Sequence, residues 1–224
     1  MLLRTEWAER FLQACAAVPA VRRPLKADET VYLSVPEGRC WVVATGYVKL
    51  LDPLLDGGRL VRLILGRGNL LGDRPFGTGA FAGFVAPQHE QAVAHGPAIV
   101  LEMDRTAVEA AARADAGFAA LLAEAATTRS QFLERRLLWQ FTTPVRARVA
   151  ATLRDLICFE GTRCRHGHTI DVRLTHQDLA ELVGAARPVI SAELARLRDE
   201  GLLSYTRSHF CVDDLAGLDR IATQ

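Results

Sequence analysis

With 224 residues, half of them hydrophobic and 24% charged, the chain can build one large or two small domains. No run approaches the roughly 18 unbroken apolar residues that a membrane helix needs. A formal charge of +1 argues against a uniformly basic protein. From Gln140 onward, however, eleven arginines stand among eleven acids, so any charged binding face must come from their distribution. The five cysteines, at 15, 40, 158, 164 and 211, are odd in number and scattered, which suits a reducing compartment and a cytoplasmic protein better than a disulfide framework.

The first stretch, MLLRTEWAERFLQACAAV, is interrupted by Glu6, Glu9 and Arg10, so it lacks a secretory core and reads as an amphipathic helix. From Glu29 to Met103 the pattern is β. Short apolar or β-branched runs at Thr30–Val35, Cys40–Thr45, Tyr47–Asp52, Leu60–Leu65 and Ile99–Met103 are separated by Pro36-Glu37-Gly38, Gly46, Gly57-Gly58 and Gly66-Arg67-Gly68. Many short strands at this spacing predict a sandwich or jelly roll. The fold class expected is therefore α+β, with a double-stranded β-helix (jelly roll) over residues 1–114.

Asp115–Gln140 predicts a long helix. Phe118, Ala125, Phe132 and Trp139 recur every seven residues, with Leu121 and Leu122 between them, as in the seam of a two-stranded coiled coil. The same stripe also suits a helix packed on its own β-domain. The dimer reading is preferred because a protein reading two half-sites needs a two-fold axis, and 115–141 is assigned as a dimerisation helix. Thr143 and Pro144 then form an N-cap and first turn for a helix over Val145–Phe159, so 142 opens the last domain, 142–224. Cys158, Cys164, His166 and His168 are the densest group of potential metal ligands, but their spacing is looser than in closed zinc sites. An ordinary surface hairpin is expected there, with no metal and no cofactor.

Leu174 to Tyr205 carries the chemistry. Thr175 with Asp178 three positions on is a short capping box, and Leu179, Leu182 and Val183 share one face. Gly184 breaks that pattern. A second helix opens with Arg187 and Pro188 and buries Ile190, Leu194 and Leu197. Two short helices around a glycine turn could be a plain αα-hairpin or a helix-turn-helix. Two short β-runs, Leu203–Tyr205 and His209–Val212, resemble the wing of a winged helix and favour the latter. The second helix would place Arg187, Pro188, Ser191 and Ala192 toward base edges, with Arg187 matching the two acceptors of guanine and the Ala192 methyl facing a thymine methyl.

LTHQDLAELVGAARPVISAELARLRDEGLL resembles, without a gap, the DNA-binding domain of the CRP/FNR transcription regulators. The order of the first half is similar to the sensor domain of that family. The resemblance implies phosphate contacts from Thr175, His176 and Gln177, joined by Arg198, Arg207 and Ser208, and base reading by Arg187. Many members carry Glu and a second Arg where this chain has Pro188 and Ala192, so its operator should differ from theirs. The resemblance also places Gly72, Asp73 and Arg74 where relatives hold a cyclic nucleotide. Pro87 to Ala92 offers no phosphate cation there, so the pocket is read as degenerate.

The partners expected are double-stranded DNA, a second copy of the chain, and RNA polymerase at the loop from Phe159 to His168. Gating by a small molecule, cyclic nucleotide, metal or redox signal stands as the alternative. A cupin-like enzyme would need several His and carboxylates on the strands, and the first hundred residues offer only His89 and His95. No nucleophile-elbow, Walker or zinc-protease motif occurs, so no enzyme is expected. An architectural DNA-bender is the remaining class. Its binding should collapse with salt where specific binding survives further.

Overall fold

The computed structural model describes residues 5–32, 38–54, 59–72, 90–164, 167–170, 172–206 and 209–223. The chain forms two compact units, Met1–Phe132 and Leu133–Gln224, which divide within one long helix.

In the first unit, helix α1 (Thr5–Cys15) turns Ala8, Phe11 and Cys15 inward at steps of three and four, the spacing that makes one helical face. Strands β1 (Ala20–Leu25), β8 (Ala98–Asp104), β3 (Arg39–Thr45) and β6 (Leu70–Gly72) form one antiparallel sheet in that order. Strands β2 (Thr30–Tyr32), β7 (Gln91–Ala94), β4 (Val48–Pro53) and β5 (Arg59–Leu65) form the second. Strand β1 was not legible in the sequence because only Leu25 of it is buried. Its edge position also tolerates Pro24, which has no ladder donor. The short strands β6 and β7 and the alanine-rich helix α2 (Arg105–Ala114) were likewise missed.

Strand β3 shows how both faces are used. Cys40 and Val42 point into a core shared with Phe11, Cys15, Met103, Val108, Ala112, Phe118, Leu121 and Leu122, whereas Trp41 meets Tyr32 at 5.0 Å between ring centroids. Trp7 stacks on Phe11 at 5.1 Å, and Phe11 meets Phe118 at 6.0 Å. Burial, with Cys40 nearby, pushes the Cys15 thiol up to about 12, so both cysteines act as small apolar groups of this core. Asp104 at the end of β8 caps α2 by accepting from the Thr106 and Ala107 amides at 2.9 and 3.3 Å.

Helix α3 (Ala116–Thr142) agrees with the expected helix to within two residues at each end. Its first turns feed Phe118, Leu121 and Leu122 into the same core. In the second unit α4 (Val145–Glu160) leads to a four-stranded antiparallel sheet, in the order β11 (Leu203–Tyr205), β12 (Phe210–Val212), β10 (Gly167–Ile170) and β9 (Gly161–Cys164). Helices α5 (His176–Val183) and α6 (Arg187–Asp199) lie between β10 and β11 in the chain, and α7 (Leu215–Ala222), which the sequence reading missed, closes it. No described helix is long and apolar enough to cross a membrane.

Gly46 joins β3 to β4 with φ +75°, and a Cβ there would stand 2.4 Å from the Pro97 carbonyl oxygen. Gly46→Ala is therefore expected to cost at least about 1–3 kcal/mol from the backbone conformation alone, read as a lowered midpoint in urea unfolding. An unchanged midpoint would show that this turn relaxes freely.

Candidate nucleic-acid interface

Helix α5 begins as its residue types dictate. The Thr175 hydroxyl accepts from the Asp178 amide at 3.0 Å, and the Asp178 carboxylate accepts from the Thr175 amide at 2.9 Å and from its hydroxyl at 2.7 Å. The capping box is thus complete. At the other end Gly184 adopts the left-handed conformation, φ 71° and ψ 52°, and its amide donates to the Ala180 carbonyl at 2.8 Å. The last carbonyls of α5 are satisfied from α3. The Arg136 guanidinium donates to the Leu182 carbonyl, and the Gln140 amide donates to that of Val183 at 2.9 Å. The Gln140 oxygen in turn accepts from Arg148 of α4. Sequence reasoning missed both α3 residues, because nothing in a heptad pattern marks a polar side chain as a cap for a helix some forty residues later.

Helix α6 buries Ile190, Leu194 and Leu197 as expected and exposes Arg187, Pro188, Val189 and Ala192, with Ser191 half-buried. Its N-cap, Ala186, makes no side-chain cap bond, and Pro188 lies in the first turn. Val189, 43% exposed, is an addition to the candidate face that the sequence reading did not name. Glu193 is buried on the opposite side, with Arg196 at 2.8 Å and Arg146 of α4 at 3.7 Å.

The expected phosphate residues are engaged within the chain. The Thr175 hydroxyl belongs to the cap, the Gln177 amide donates to Glu181 at 2.6 Å, and Arg198 donates to Asp199 at 2.9 Å with its guanidinium 5.8 Å from the Tyr205 ring centre. His176 turns inward to the wing. Its ring meets Tyr205 edge-on at 5.5 Å and Phe210 at 6.4 Å, and its Nδ1 is 2.9 Å from the Ser191 hydroxyl. Desolvation, and then the Arg187 charge, lower the affinity of His176 for a proton. Arg207 and Ser208 of the wing lie outside the described residues.

The N-terminal part of the stripe named for dimerisation is turned into its own unit. Phe118 is 2% exposed and Leu121 and Leu122 are 8% exposed, all in the core of their own unit. Ala125, Phe132 and Trp139 are half-buried, with the Arg135 guanidinium 4.8 Å from the Trp139 ring centre. The exposed face of α3 runs two positions on, roughly 200° round the helix. It carries Ala120, Ala123, Thr127, Ser130, Glu134, Leu137 and Phe141, with Leu138 beside them. Heptad spacing alone could not tell burial within one chain from burial between two.

Of the effector residues Gly72 is described, while Asp73, Arg74 and the segment up to His89 lie outside. The Gly72 amide donates to the Tyr32 hydroxyl at 3.1 Å, which donates to Glu90 at 2.6 Å. Glu90 is buried and paired with Arg62, whose Nε is 3.1 Å from Asp52. Arg129 of α3 donates to the Leu70 carbonyl at 3.0 Å. The first unit therefore does contain arginines near Gly72, drawn from β5 and α3 rather than from residues 87–92. The groups of at least three His, Cys, Asp or Glu that a metal needs are absent among the described residues. The Cys158, Cys164 and His166 side chains lie outside them.

Residues 147–221 match the family model of the Crp-like helix-turn-helix domain. Over 209 residues, 92% of each chain, the sequence is 25% identical to the "Global nitrogen regulator" of Nostoc sp. (strain PCC 7120 / SAG 25.82 / UTEX 2576). The fold is similar to that of FixK2 from Bradyrhizobium japonicum, with TM-score 0.75 and 20% identity over 91% of this chain and 98% of that one. It is also similar to TTHB099, a CRP-family transcriptional regulator from Thermus thermophilus, with TM-score 0.71 and 24% identity over 90% and 97%.

Thr175→Ala removes half of the capping box, and its expected cost is about 1 kcal/mol of stability in the second unit. Thermal unfolding checks it. A midpoint equal to wild type would mean that the Asp178 contact to the Thr175 backbone suffices alone.

Proposed function

We propose that this chain, a DNA-binding transcription regulator of the CRP/FNR type, works as a homodimer that offers two copies of α6 to a two-fold symmetric operator. The observation that carries the reading is the face of α6 itself. A helix anchored by Ile190, Leu194 and Leu197 leaves Arg187, Pro188, Val189 and Ala192 exposed at its N-terminal end, where a groove-inserted helix meets base edges. Arg187 is assigned as the guanine reader, Ser191 as a polar reader and Ala192 as the thymine-methyl contact. Gln177 and Arg198 are assigned to phosphates, exchanging their present partners for the backbone.

Pairing along α3 is supported by the exposed side chains that follow one another at steps of three and four and end in Leu137 and Phe141, the latter 82% exposed. RNA polymerase contact is assigned to the β9–β10 hairpin, by its likeness in chain position to the loop that some CRP/FNR members use. The cytoplasm follows as the working compartment of a transcription regulator.

If Arg187 is bidentate to one guanine per half-site, Arg187→Ala loses about 1–3 kcal/mol per half-site and relaxes the preference at that base pair. A panel of single-base operator variants at two salt concentrations reads this. An unchanged base preference would take α6 out of the groove. For the dimer, the double substitution Leu137→Asp and Phe141→Asp is expected to give monomers at micromolar concentration in sedimentation, because two carboxylates cannot stay charged in a dry seam. A dimer of wild-type strength would place the two-fold axis elsewhere.

A further inference from the structure

We propose that His176 is a specificity-determining residue, which through its Nδ1 fixes the hydroxyl of Ser191 and thereby the hydrogen bond that α6 offers to a base edge. This rests on the reading that α6 lies in the major groove with Ser191 on its base-facing side.

His176 is the first residue of α5, the position that the resemblance assigns to a phosphate contact. Its ring instead reaches across to α6, with Nδ1 2.9 Å from the Ser191 oxygen, and is wedged against Tyr205 and Phe210 of the wing. The aromatic packing fixes the ring and the ring fixes the hydroxyl. A serine hydroxyl has one donor and two acceptor positions and otherwise rotates to suit whatever it meets. Adenine and cytosine present amino donors in the major groove, while guanine and thymine present acceptors, so a freely rotating hydroxyl is a poor discriminator. Once one of its positions is committed to an imidazole nitrogen, what remains has a defined direction, and its sense follows from the tautomer: a protonated Nδ1 leaves the hydroxyl its donor, and a bare Nδ1 leaves it acceptor positions only.

The surroundings favour the neutral ring. Burial and the neighbouring Arg187 charge both oppose protonation, and in a neutral imidazole one ring nitrogen donates and the other accepts. The groups packed against the ring are the Tyr205 and Phe210 side chains from the wing, and Ser191 and Arg187 from α6. Arg187 and Ser191 are one turn apart on α6, so a single imidazole touches one assigned reader and sits in the field of the other.

The test uses the full-length protein and a panel of operator variants covering all four bases at each position of one half-site. Ser191→Ala, His176→Phe, His176→Asn and the double variant Ser191→Ala with His176→Phe are compared with wild type. Phenylalanine keeps the ring packing against Tyr205 and Phe210 and removes the nitrogen. Asparagine keeps a polar atom near the position of Nδ1.

The expected result is that Ser191→Ala and His176→Phe each reduce discrimination at the same base pair by about 3- to 10-fold, the size of one net hydrogen bond. The double variant should be no worse than either, and His176→Asn should retain most of the discrimination. If His176→Phe weakens all variants alike and flattens the salt dependence, His176 is a phosphate contact and the proposal is overturned. It is also overturned if the His176→Phe effect persists undiminished in the Ser191→Ala background. If Ser191→Ala itself leaves base preference unchanged, Ser191 is not in the groove. The groove reading then fails at that residue and takes the proposal with it, an outcome distinct from a failure of His176 alone.

Discussion

The C-terminal end of α5 is the point on which the reading head depends. A helix leaves its last carbonyls without intrahelical donors, and an eight-residue helix has few other bonds to spare for them. Gly184 solves part of the problem by turning left-handed and closing back on Ala180, which also sets the direction in which the chain enters α6. Arg136 and Gln140 solve the rest from α3, by donating to Leu182 and Val183. A side chain at 184 would meet the Gln140 amide at 2.6 Å, so the same glycine that permits the turn also permits its cap. The consequence is mechanical. The last two turns of α3 and the helix-turn-helix share hydrogen bonds, so whatever rotates that end of α3 must carry α5 and α6 with it or break them. The exposed Leu137 and Phe141 lie on the same two turns as Arg136 and Gln140. The proposed dimer contact and the anchor of the helix-turn-helix therefore share one short piece of helix.

The first unit shows a different economy. Its strands are covered on both faces, so alternate residues of β3 serve two cores, one against α1, α2 and α3 and the other within the roll. Into the second of these the fold places a chain of polar groups, from the Gly72 amide through Tyr32 and Glu90 to Arg62 and Asp52. Buried polar groups are tolerated when each has a partner, and here the partners are drawn from β2, β4, β5 and β6 and the residue preceding β7. Burial, with Glu90 alongside, pushes the Tyr32 hydroxyl up, which keeps it a donor to the Glu90 carboxylate. Gly72, the described residue of the expected nucleotide pocket, thus leads into a network that already binds itself together.

What could be read from the sequence follows from how local each signal is. Thr175 with Asp178, Gly184, and the steps from Ile190 to Leu197 are short-range patterns with one physical outcome each, and α5, the turn and the start of α6 were legible to the residue. The strand runs from Cys40 to Leu65 were legible because continuous apolar residues between glycine turns leave little choice. Strand β1 was not, since AVRRPL has neither alternation nor a continuous apolar run, and it exists only because β8 offers it an edge. The long helix was legible as a helix but not in its orientation. Phe118, Leu121 and Leu122 obey a coiled-coil spacing while packing on Phe11 and Val108, and spacing holds no information about whose side chains fill the gap. The phosphate role of His176 came from the family resemblance, which says nothing of its neighbours within the chain. Its partner Ser191 is fifteen residues away, and only the fold brings them to 2.9 Å.

The distribution of charge now has a physical account that the net value of +1 does not supply. In the second unit the acids near α6 are committed at its inner side and far end. Glu193 lies against Arg146 and Arg196, Glu200 pairs with Arg146, and Asp199 pairs with Arg198. Asp178 is spent on the α5 cap and Glu181 on Gln177. The N-terminal end of α6, where the helix dipole is positive, carries Arg187. The basic residues along the helix axis thus change from Arg187 at the tip to two at the base, Arg196 and Arg198, each paired with an acid. In the proposed groove reading such a helix meets DNA with its end rather than its flank. If α6 enters the groove as proposed, the identity and orientation of the few polar groups at its tip are the features on which specificity turns.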